Sequence, residues 1–104
     1  MKKMLTKIIE KINGTPLAKK QLRELAKDPE GAYRYALDVI GGRWPVAEKY
    51  IAKDPEWACL YARYVIDGRW PVAEPTIVKD PFWANWYAEY ILKRPWPEAG
   101  VYEL

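Results

Sequence analysis

Apolar residues in the middle of the chain recur with the spacing of one buried helical face. Ala32, Tyr35, Ala36, Val39 and Ile40 lie at i, i+3, i+4, i+7 and i+8, which is the spacing of a single stripe on an α-helix. The stripe returns 26 residues later and again after a further 26, as Ala58, Tyr61, Ala62, Val65 and Ile66 and then as Ala84, Tyr87, Ala88, Ile91 and Leu92. The pattern predicts three equivalent amphipathic helices.

Each predicted helix has a start signal and two have a stop signal. Asp-Pro dipeptides begin at Asp28, Asp54 and Asp80, where the aspartate can cap free amides and proline fits the first turn. Gly42 and Gly68 follow the first two stripes and are predicted to supply the left-handed residue that ends many helices. A long helix is therefore expected in each copy.

A second, shorter helix is predicted after each Trp-Pro dipeptide. These dipeptides are Trp44-Pro45, Trp70-Pro71 and Trp96-Pro97, and proline at the first helical position favours a helix start. Each copy then reads as a helical hairpin, in which the tryptophan is expected to fill the gap between successive hairpins. Repeats of this length bury their apolar faces against their neighbours.

The predicted fold class is all-α: a stack of short helical hairpin repeats, resembling an α-solenoid, with an N-terminal capping helix pair. Residues 28–104 are predicted to form one domain of three repeats, 28–53, 54–79 and 80–104, preceded by a basic helical cap over residues 1–27. Within the cap, Leu5, Ile8, Ile9 and Ile12 indicate an amphipathic helix, and the segment from Pro16 to Ala26 indicates a second one.

Charge separates the cap from the repeats. Residues 1–27 carry eight cations and two anions, a net charge of +6, whereas the remaining nine cations and twelve anions give the repeats −3. The single cysteine, Cys59, excludes an intramolecular disulfide and favours a reducing, cytoplasmic location. Charges interrupt the apolar segment near the N-terminus before it reaches signal-peptide length, and no run is long enough to span a membrane.

The composition argues against an enzyme. The chain contains neither serine nor histidine, which excludes the usual serine triad and leaves Cys59 without a base. Metal sites built on histidine or paired cysteines are excluded as well. Glu48 and Glu74 are conceivable as an acid pair, but they occupy equivalent repeat positions and are better explained by solvating the short helix or by pairing with arginine. We expect no catalytic activity, no cofactor and no metal.

The repeat resembles a known kind of sequence. The phrases Lys53-Asp54-Pro55-Glu56-Trp57-Ala58 and Gly68-Arg69-Trp70-Pro71-Val72-Ala73-Glu74-Pro75 are similar to short tandem repeats in many uncharacterised phage and prokaryotic proteins. The resemblance covers residues 27 to about 100. It implies a viral or mobile-element origin and a protein that binds and modulates a host or viral complex, for example as an anti-defence inhibitor.

Beside the shared stripe, each copy has a second set of positions that differ between copies. They are Gly31, Arg34 and Asp38, then Trp57, Leu60 and Tyr64, then Trp83, Trp86 and Tyr90. This second stripe either packs on the preceding hairpin or forms an aromatic binding face in the C-terminal half. Tryptophan and tyrosine are enriched at the energetic centres of protein interfaces.

We therefore expect a non-catalytic protein–protein interaction module, with self-association as an alternative to a foreign partner. The predicted partner-binding residues are Trp57, Tyr64, Phe82, Trp83, Trp86 and Tyr90, with Arg63, Arg69 and Arg94 as polar contacts at the edge.

The competing hypothesis is a nucleic-acid-binding accessory protein. Lys2, Lys3, Lys7 and Lys11 would contact phosphates, and binding would fall steeply with salt. The repeats, however, have a net negative charge and no stripe of lysine or arginine. The apolar residues of the same leader also suit a membrane surface, although docking on the first repeat is favoured because that repeat has no other preceding neighbour.

Overall fold

Helices supply the regular secondary structure of the computed structural model, which describes residues 17–104. Within this range no strand is present, and the one β-type contact is an antiparallel bridge between Trp96 and Val101. The chain is therefore all-helical over the described residues, as predicted. The helix predicted around Leu5 to Ile12 and the four leader lysines lie outside them.

Short and long helices alternate along the chain. The short helices are α1 (Lys19–Ala26), α3 (Pro45–Ile51) and α5, in which a 3₁₀ turn (Pro71–Ala73) leads into an α-helical turn (Glu74–Ile77). A last 3₁₀ turn covers Pro97–Ala99. The long helices each consist of an α-helical part and a π-helical last turn: α2 (Pro29–Tyr35, Ala36–Ile40), α4 (Pro55–Tyr61, Ala62–Ile66) and α6 (Pro81–Tyr87, Ala88–Leu92).

Helices α3 and α5 and the last 3₁₀ turn begin at the predicted prolines, but α1 does not, and it is shorter than predicted. It starts at Lys19 instead of Pro16, and the Gln21 side chain accepts a hydrogen bond from the Ala18 amide at 2.9 Å. This start places α1 26 residues before α3. Leu25 of α1 is buried, as are Ile51 of α3 and Ile77 of α5, so the three short helices bury equivalent positions.

The long helices end one residue earlier than the glycine signals predicted. The left-handed residues are Gly41, Asp67 and Lys93, with φ of 73°, 61° and 58°, whereas Gly42 and Gly68 do not have positive φ. The prediction that Gly42 and Gly68 end the helices is therefore wrong. Each helix closes with a hydrogen bond that spans five residues, such as that from the Gly41 amide to the Ala36 carbonyl at 2.8 Å, and the residue that donates this bond is the left-handed one.

The predicted aspartate caps are confirmed at two of the three helix starts. Asp54 accepts hydrogen bonds from the amides of Glu56 and Trp57 at 3.1 and 3.3 Å, and Asp80 accepts one from Trp83 at 3.2 Å. Asp28 makes no side-chain cap bond to α2. Such a cap contributes about 1 kcal/mol, so α4 and α6 have a local stabilisation that α2 lacks.

Alanines and tyrosines form the centre of the core. The alanines at the first and third stripe positions are fully buried in all three long helices, and so are Tyr61 and Tyr87. The end of the stripe differs from the prediction in α2, where Val39 and Ile40 are 36% and 43% exposed. Val65, Ile66, Ile91 and Leu92 occupy the same positions on the π turns of α4 and α6 and pack against the core, so the exposure belongs to the first copy and not to the π turn.

Equivalent helices of adjacent copies are in contact. Helix α2 contacts α4, α4 contacts α6, and their π turns contact in the same order, while α1 contacts both α2 and α3. Alanine at the shared positions lets the backbones approach closely. Among residues 17–104, no helix has both the length and the apolar character needed to cross a bilayer.

Candidate functional site

A tyrosine of one copy is hydrogen-bonded to the short helix of the copy before it. The Tyr61 hydroxyl on α4 donates to Glu48 Oε2 at 2.7 Å and accepts a hydrogen bond from the Trp44 amide at 2.8 Å. Glu48 also accepts two hydrogen bonds from the Arg43 guanidinium, at 2.8 and 2.9 Å. The arrangement connects two copies through a buried hydroxyl and a bidentate ion pair.

The same network recurs one repeat later. The Tyr87 hydroxyl on α6 donates to Glu74 Oε2 at 2.6 Å and accepts a hydrogen bond from the Trp70 amide at 2.8 Å. The Arg69 guanidinium donates two hydrogen bonds to the Glu74 carboxylate, at 3.1 and 2.9 Å. We call each set of arginine, glutamate, tryptophan and tyrosine a repeat junction. Glu48 and Glu74 belong to separate junctions, each with its own arginine and tyrosine.

Protonation in the junctions follows from these contacts. The hydrogen bond from Arg43 holds the pKa of Glu48 below its ordinary value, with a smaller contribution from Tyr61. Burial alone would raise the pKa of Glu74, but the hydrogen bonds from Arg69 and Tyr87 outweigh burial and lower it. Burial is also the main cause that raises the pKa of Tyr61 and Tyr87, so both hydroxyls stay protonated and can donate.

Sequence reasoning missed the repeat junctions, although the repeat alignment contained a signal. Arg43 and Glu48 recur as Arg69 and Glu74, but Pro95 and Gly100 occupy the corresponding places in the last copy. A charge pair that is present in two copies and absent from the last one indicates an interaction with the following copy. That comparison alone would not have identified Tyr61 and Tyr87 as the third partner.

The same tyrosines stack on the tryptophan of their own copy. Ring centroids are 4.7 Å apart for Tyr35 and Trp44, 4.9 Å for Tyr61 and Trp70, and 5.1 Å for Tyr87 and Trp96. Trp70 and Trp96 are 2% and 4% exposed, whereas Trp44 is half-buried. Trp70 and Trp96 are therefore core residues, as a structural role requires, whereas Trp44 is only partly enclosed.

The first copy differs because α1 is not a true repeat. Leu22 stands where Glu48 and Glu74 stand in the later copies, so α1 offers Tyr35 no carboxylate. A groove of about 300 Å³ lies beside Trp44 and is lined by Lys19, Leu22, Arg23, Trp44 and Val46. The groove is mainly apolar and borders the first described residues of the chain.

The predicted aromatic anchors on α6 form one continuous row of rings. Phe82 contacts Trp83 at 5.0 Å, Trp83 contacts Trp86 at 5.6 Å, and Trp86 contacts Tyr90 at 4.9 Å between ring centroids. Trp83 and Trp86 are half-buried and pack against the core, while Phe82 and Tyr90 are 66% and 46% exposed. The structure brings the four residues together and divides them into a packed part and an exposed part.

The predicted anchors on α4 are divided in the same way. Trp57 is half-buried and contacts the buried Tyr33 of the preceding copy at 5.6 Å. Tyr64 is 54% exposed, and the Arg63 guanidinium lies 5.4 Å from the centre of its ring, within the distance of a cation–π contact. The second stripe therefore packs on the preceding copy at its N-terminal end and meets solvent at its C-terminal end.

The three arginines predicted as edge contacts have different surroundings. Arg69 is committed to the repeat junction with Glu74, Arg63 lies 3.7 Å from Asp67, and Arg94 donates to the Pro95 carbonyl at 3.0 Å. A shallow cleft of about 70 Å³ separates Arg63 of one copy from Tyr90 of the next, and it is lined by Arg63, Asp67, Gly68, Tyr90, Ile91 and Lys93. Arg63 is the arginine that shares a cleft with an exposed predicted anchor.

Cys59 has a packing role in the same region. It is fully buried, and its thiol lies 3.6 Å from the Trp83 carbonyl oxygen. Burial raises the pKa of Cys59 to about 12, so the thiol is protonated and unreactive near neutral pH. Residues 17–104 contain no group of three or more His, Cys, Asp or Glu side chains arranged to hold a metal ion.

The predicted nucleic-acid contacts Lys2, Lys3, Lys7 and Lys11 lie outside the described residues. Three features of the described residues bear on function: the repeat junctions, the apolar groove beside Trp44 and the partly exposed aromatic row. No model of a known protein family, no curated protein and no solved structure matches this chain.

Proposed function

We propose that residues 28–104 form a short α-solenoid of three units, 28–53, 54–79 and 80–104, capped by residues 1–27. We further propose that this assembly is a non-catalytic protein-binding module in which the exposed side chains of the second stripe contact the partner. The stacking is supported by the two repeat junctions, each of which joins a long helix to the short helix of the preceding unit.

The observation that carries the proposed function is the exposure of Tyr64, Phe82 and Tyr90. Their neighbours Trp57 and Trp83 are half-buried against the core, so the three exposed rings are not needed to close it. An exposed aromatic ring keeps apolar surface in water, which costs about 25 cal/mol for each Å² that a partner could cover. Rings of this kind, set beside half-buried tryptophans, are typical of the anchors of protein interfaces.

The resemblance to phage and prokaryotic tandem repeats supports a specific setting for this binding. In that setting the protein is encoded by a phage or mobile element and acts in the host cytoplasm. Its partner belongs to a host or viral complex whose activity is changed by the contact. An anti-defence inhibitor is one example of such a protein.

Substitution of the exposed rings tests the proposal. Partners are first selected by incubating the immobilised full-length chain with extract of the native cell and identifying the retained proteins by mass spectrometry. We expect the double variant Phe82→Ala, Tyr90→Ala to lower the affinity for a purified selected partner at least tenfold, a loss typical of interface anchors. Helical content, measured by circular dichroism, should stay unchanged because both side chains are exposed.

A matched control separates loss of the site from loss of apolar surface in general. Val72 is 72% exposed on α5, away from the aromatic row, and Val72→Ala should leave the affinity unchanged. Light scattering on the same variants distinguishes a second copy of the chain from a foreign partner. Equal affinity of the double variant and the wild-type chain for every selected partner would contradict the proposed site.

A further inference from the structure

We propose that the partner segment is a proline-rich chain in the polyproline II conformation, with a basic residue at one end. It would lie across the units over Asp38, Tyr64 and Tyr90, which we call the cross-unit row. This inference rests on the proposed function and names the class of partner that the site would take.

The three side chains of the cross-unit row occupy one repeat position in successive units. They lie on the π turns of α2, α4 and α6, which contact one another in order. All three are exposed, Tyr64 by 54% and Tyr90 by 46%. Packed helices lie about 8–10 Å apart, so the row repeats at about that distance.

This distance is the period of a polyproline II helix. Three residues per turn at about 3.1 Å each give a repeat of about 9 Å. A proline-rich ligand crossing the units would therefore present the same face to Tyr64 and, one turn later, to Tyr90. An α-helical ligand advances only about 5.4 Å in one turn, so one turn of it does not span the distance between Tyr64 and Tyr90.

The surface between the two tyrosines suits the backbone of such a ligand. A polyproline II chain makes no internal hydrogen bonds, so its carbonyl groups need external donors. Arg63 and the two tyrosine hydroxyls are donors in this region, and Arg63 lines the cleft beside Tyr90.

Charge fixes the direction of the ligand. Asp38 takes the place of a ring in the first unit, and the neighbouring Arg34 is paired with Glu30 at 3.2 Å. Asp38 forms no ion pair within residues 17–104. A lysine or arginine one turn before the proline on Tyr64 would meet this carboxylate, so the basic end of the ligand lies over the first unit.

Synthetic peptides test the inference directly. The probe peptide has one arginine followed by Pro-Pro-Leu triplets, and its control has Ala-Ala-Leu triplets after the same arginine. Calorimetry with the full-length protein should show binding of the proline peptide at least tenfold tighter than the alanine peptide. Tyr64→Ala and Tyr90→Ala should each weaken the proline peptide roughly tenfold, whereas Val72→Ala should not change its affinity.

Asp38→Asn tests the orientation. It should weaken the arginine peptide severalfold but leave a version with alanine in place of arginine unaffected, and circular dichroism should show each variant folded. Equal binding of the proline and alanine peptides would overturn the inference. Binding of a selected non-proline partner through Tyr64 and Tyr90 would also overturn it while leaving the proposed function intact. If no selected partner's affinity depended on these rings, both the inference and the proposed function would be wrong.

Discussion

Single residues with left-handed backbone conformation end the three long helices. Gly41 adopts this conformation without a steric penalty, whereas Asp67 and Lys93 carry a Cβ atom at φ of 61° and 58°. Left-handed backbone costs an L-residue about 1–2 kcal/mol, and aspartate tolerates it better than lysine because its short side chain bonds locally. Lys93 is therefore the most strained helix end of the three.

Replacing Lys93 with glycine should stabilise the protein. We expect Lys93→Gly to raise the free energy of unfolding by about 0.5–1 kcal/mol, because part of the steric gain is lost to the greater freedom of glycine in the unfolded chain. Urea denaturation measures the change. Lys93→Ala, which keeps the Cβ atom, is the control and should give no such gain; an equal gain from alanine would attribute the effect to the lost charge.

At the scale of elements, the repeat junctions hold each long helix against the preceding short one. The Tyr61 hydroxyl satisfies the Trp44 amide and Glu48 together, and removing one partner of a buried hydrogen bond leaves the others unsatisfied. The chain contains a natural comparison in Tyr35, which has the same repeat position and the same tryptophan contact. In its case Leu22 occupies the repeat position where the later copies have glutamate.

The tyrosine hydroxyls should therefore contribute unequally to stability. Tyr61→Phe is expected to lower the free energy of unfolding by about 1–3 kcal/mol, the usual cost of leaving buried polar groups unpaired. Tyr35→Phe should change it by less than about 0.5 kcal/mol. Urea denaturation of both variants gives the comparison, and equal losses would show that the hydroxyl bonds of the junction are not the cause.

The junctions also determine how the whole molecule responds to pH. The pKa values of Glu48 and Glu74 are lowered in the folded chain, so their contribution is complete above the unfolded value of about 4.3 and is lost as pH falls through the folded values. The pKa values of Tyr61 and Tyr87 are raised. Their contribution is complete below about pH 10 and is lost as pH rises toward the folded values.

Stability should therefore be highest between about pH 5 and pH 8.5 and decline on both sides, because the buried Cys59 thiol, whose pKa is raised in the folded chain above an unfolded value of about 8.5, adds to the alkaline loss before the tyrosines do. Melting temperatures measured by circular dichroism across this range give the profile. The double variant Glu48→Gln, Glu74→Gln removes the two carboxylates and should flatten the acid side relative to the wild-type chain. An unchanged acid slope would show that the two junction carboxylates do not cause the decline.

The proposed binding surface combines features of the same three units. Trp57 and Trp83 were predicted as partner contacts, but both are half-buried against the core, and Trp57 contacts Tyr33 of the preceding copy. Tyr64, Phe82 and Tyr90 are exposed. Periodicity placed these residues, apart from Phe82, on one stripe, but it could not say which part of the stripe is buried and which part is exposed.

The sequence alone determined the helical class, the alternation of long and short helices and the starts of most of them. These features depend on local rules: a 26-residue recurrence, proline at helix starts and apolar spacing of three and four residues. The same rules misplaced the helix ends at Gly42 and Gly68, because in two of the three helices the left-handed residue is Asp67 or Lys93, and local propensity favours glycine for that place.

The tertiary structure decided which side chains meet. Tyr61 and Glu48 are thirteen residues apart, and their contact exists because a long helix packs on the short helix before it. Exposure of Tyr64 and Tyr90 likewise depends on neighbouring units, which cover the start of each second stripe and leave its end open. Local sequence rules act over a few residues, whereas burial is a property of the assembled units.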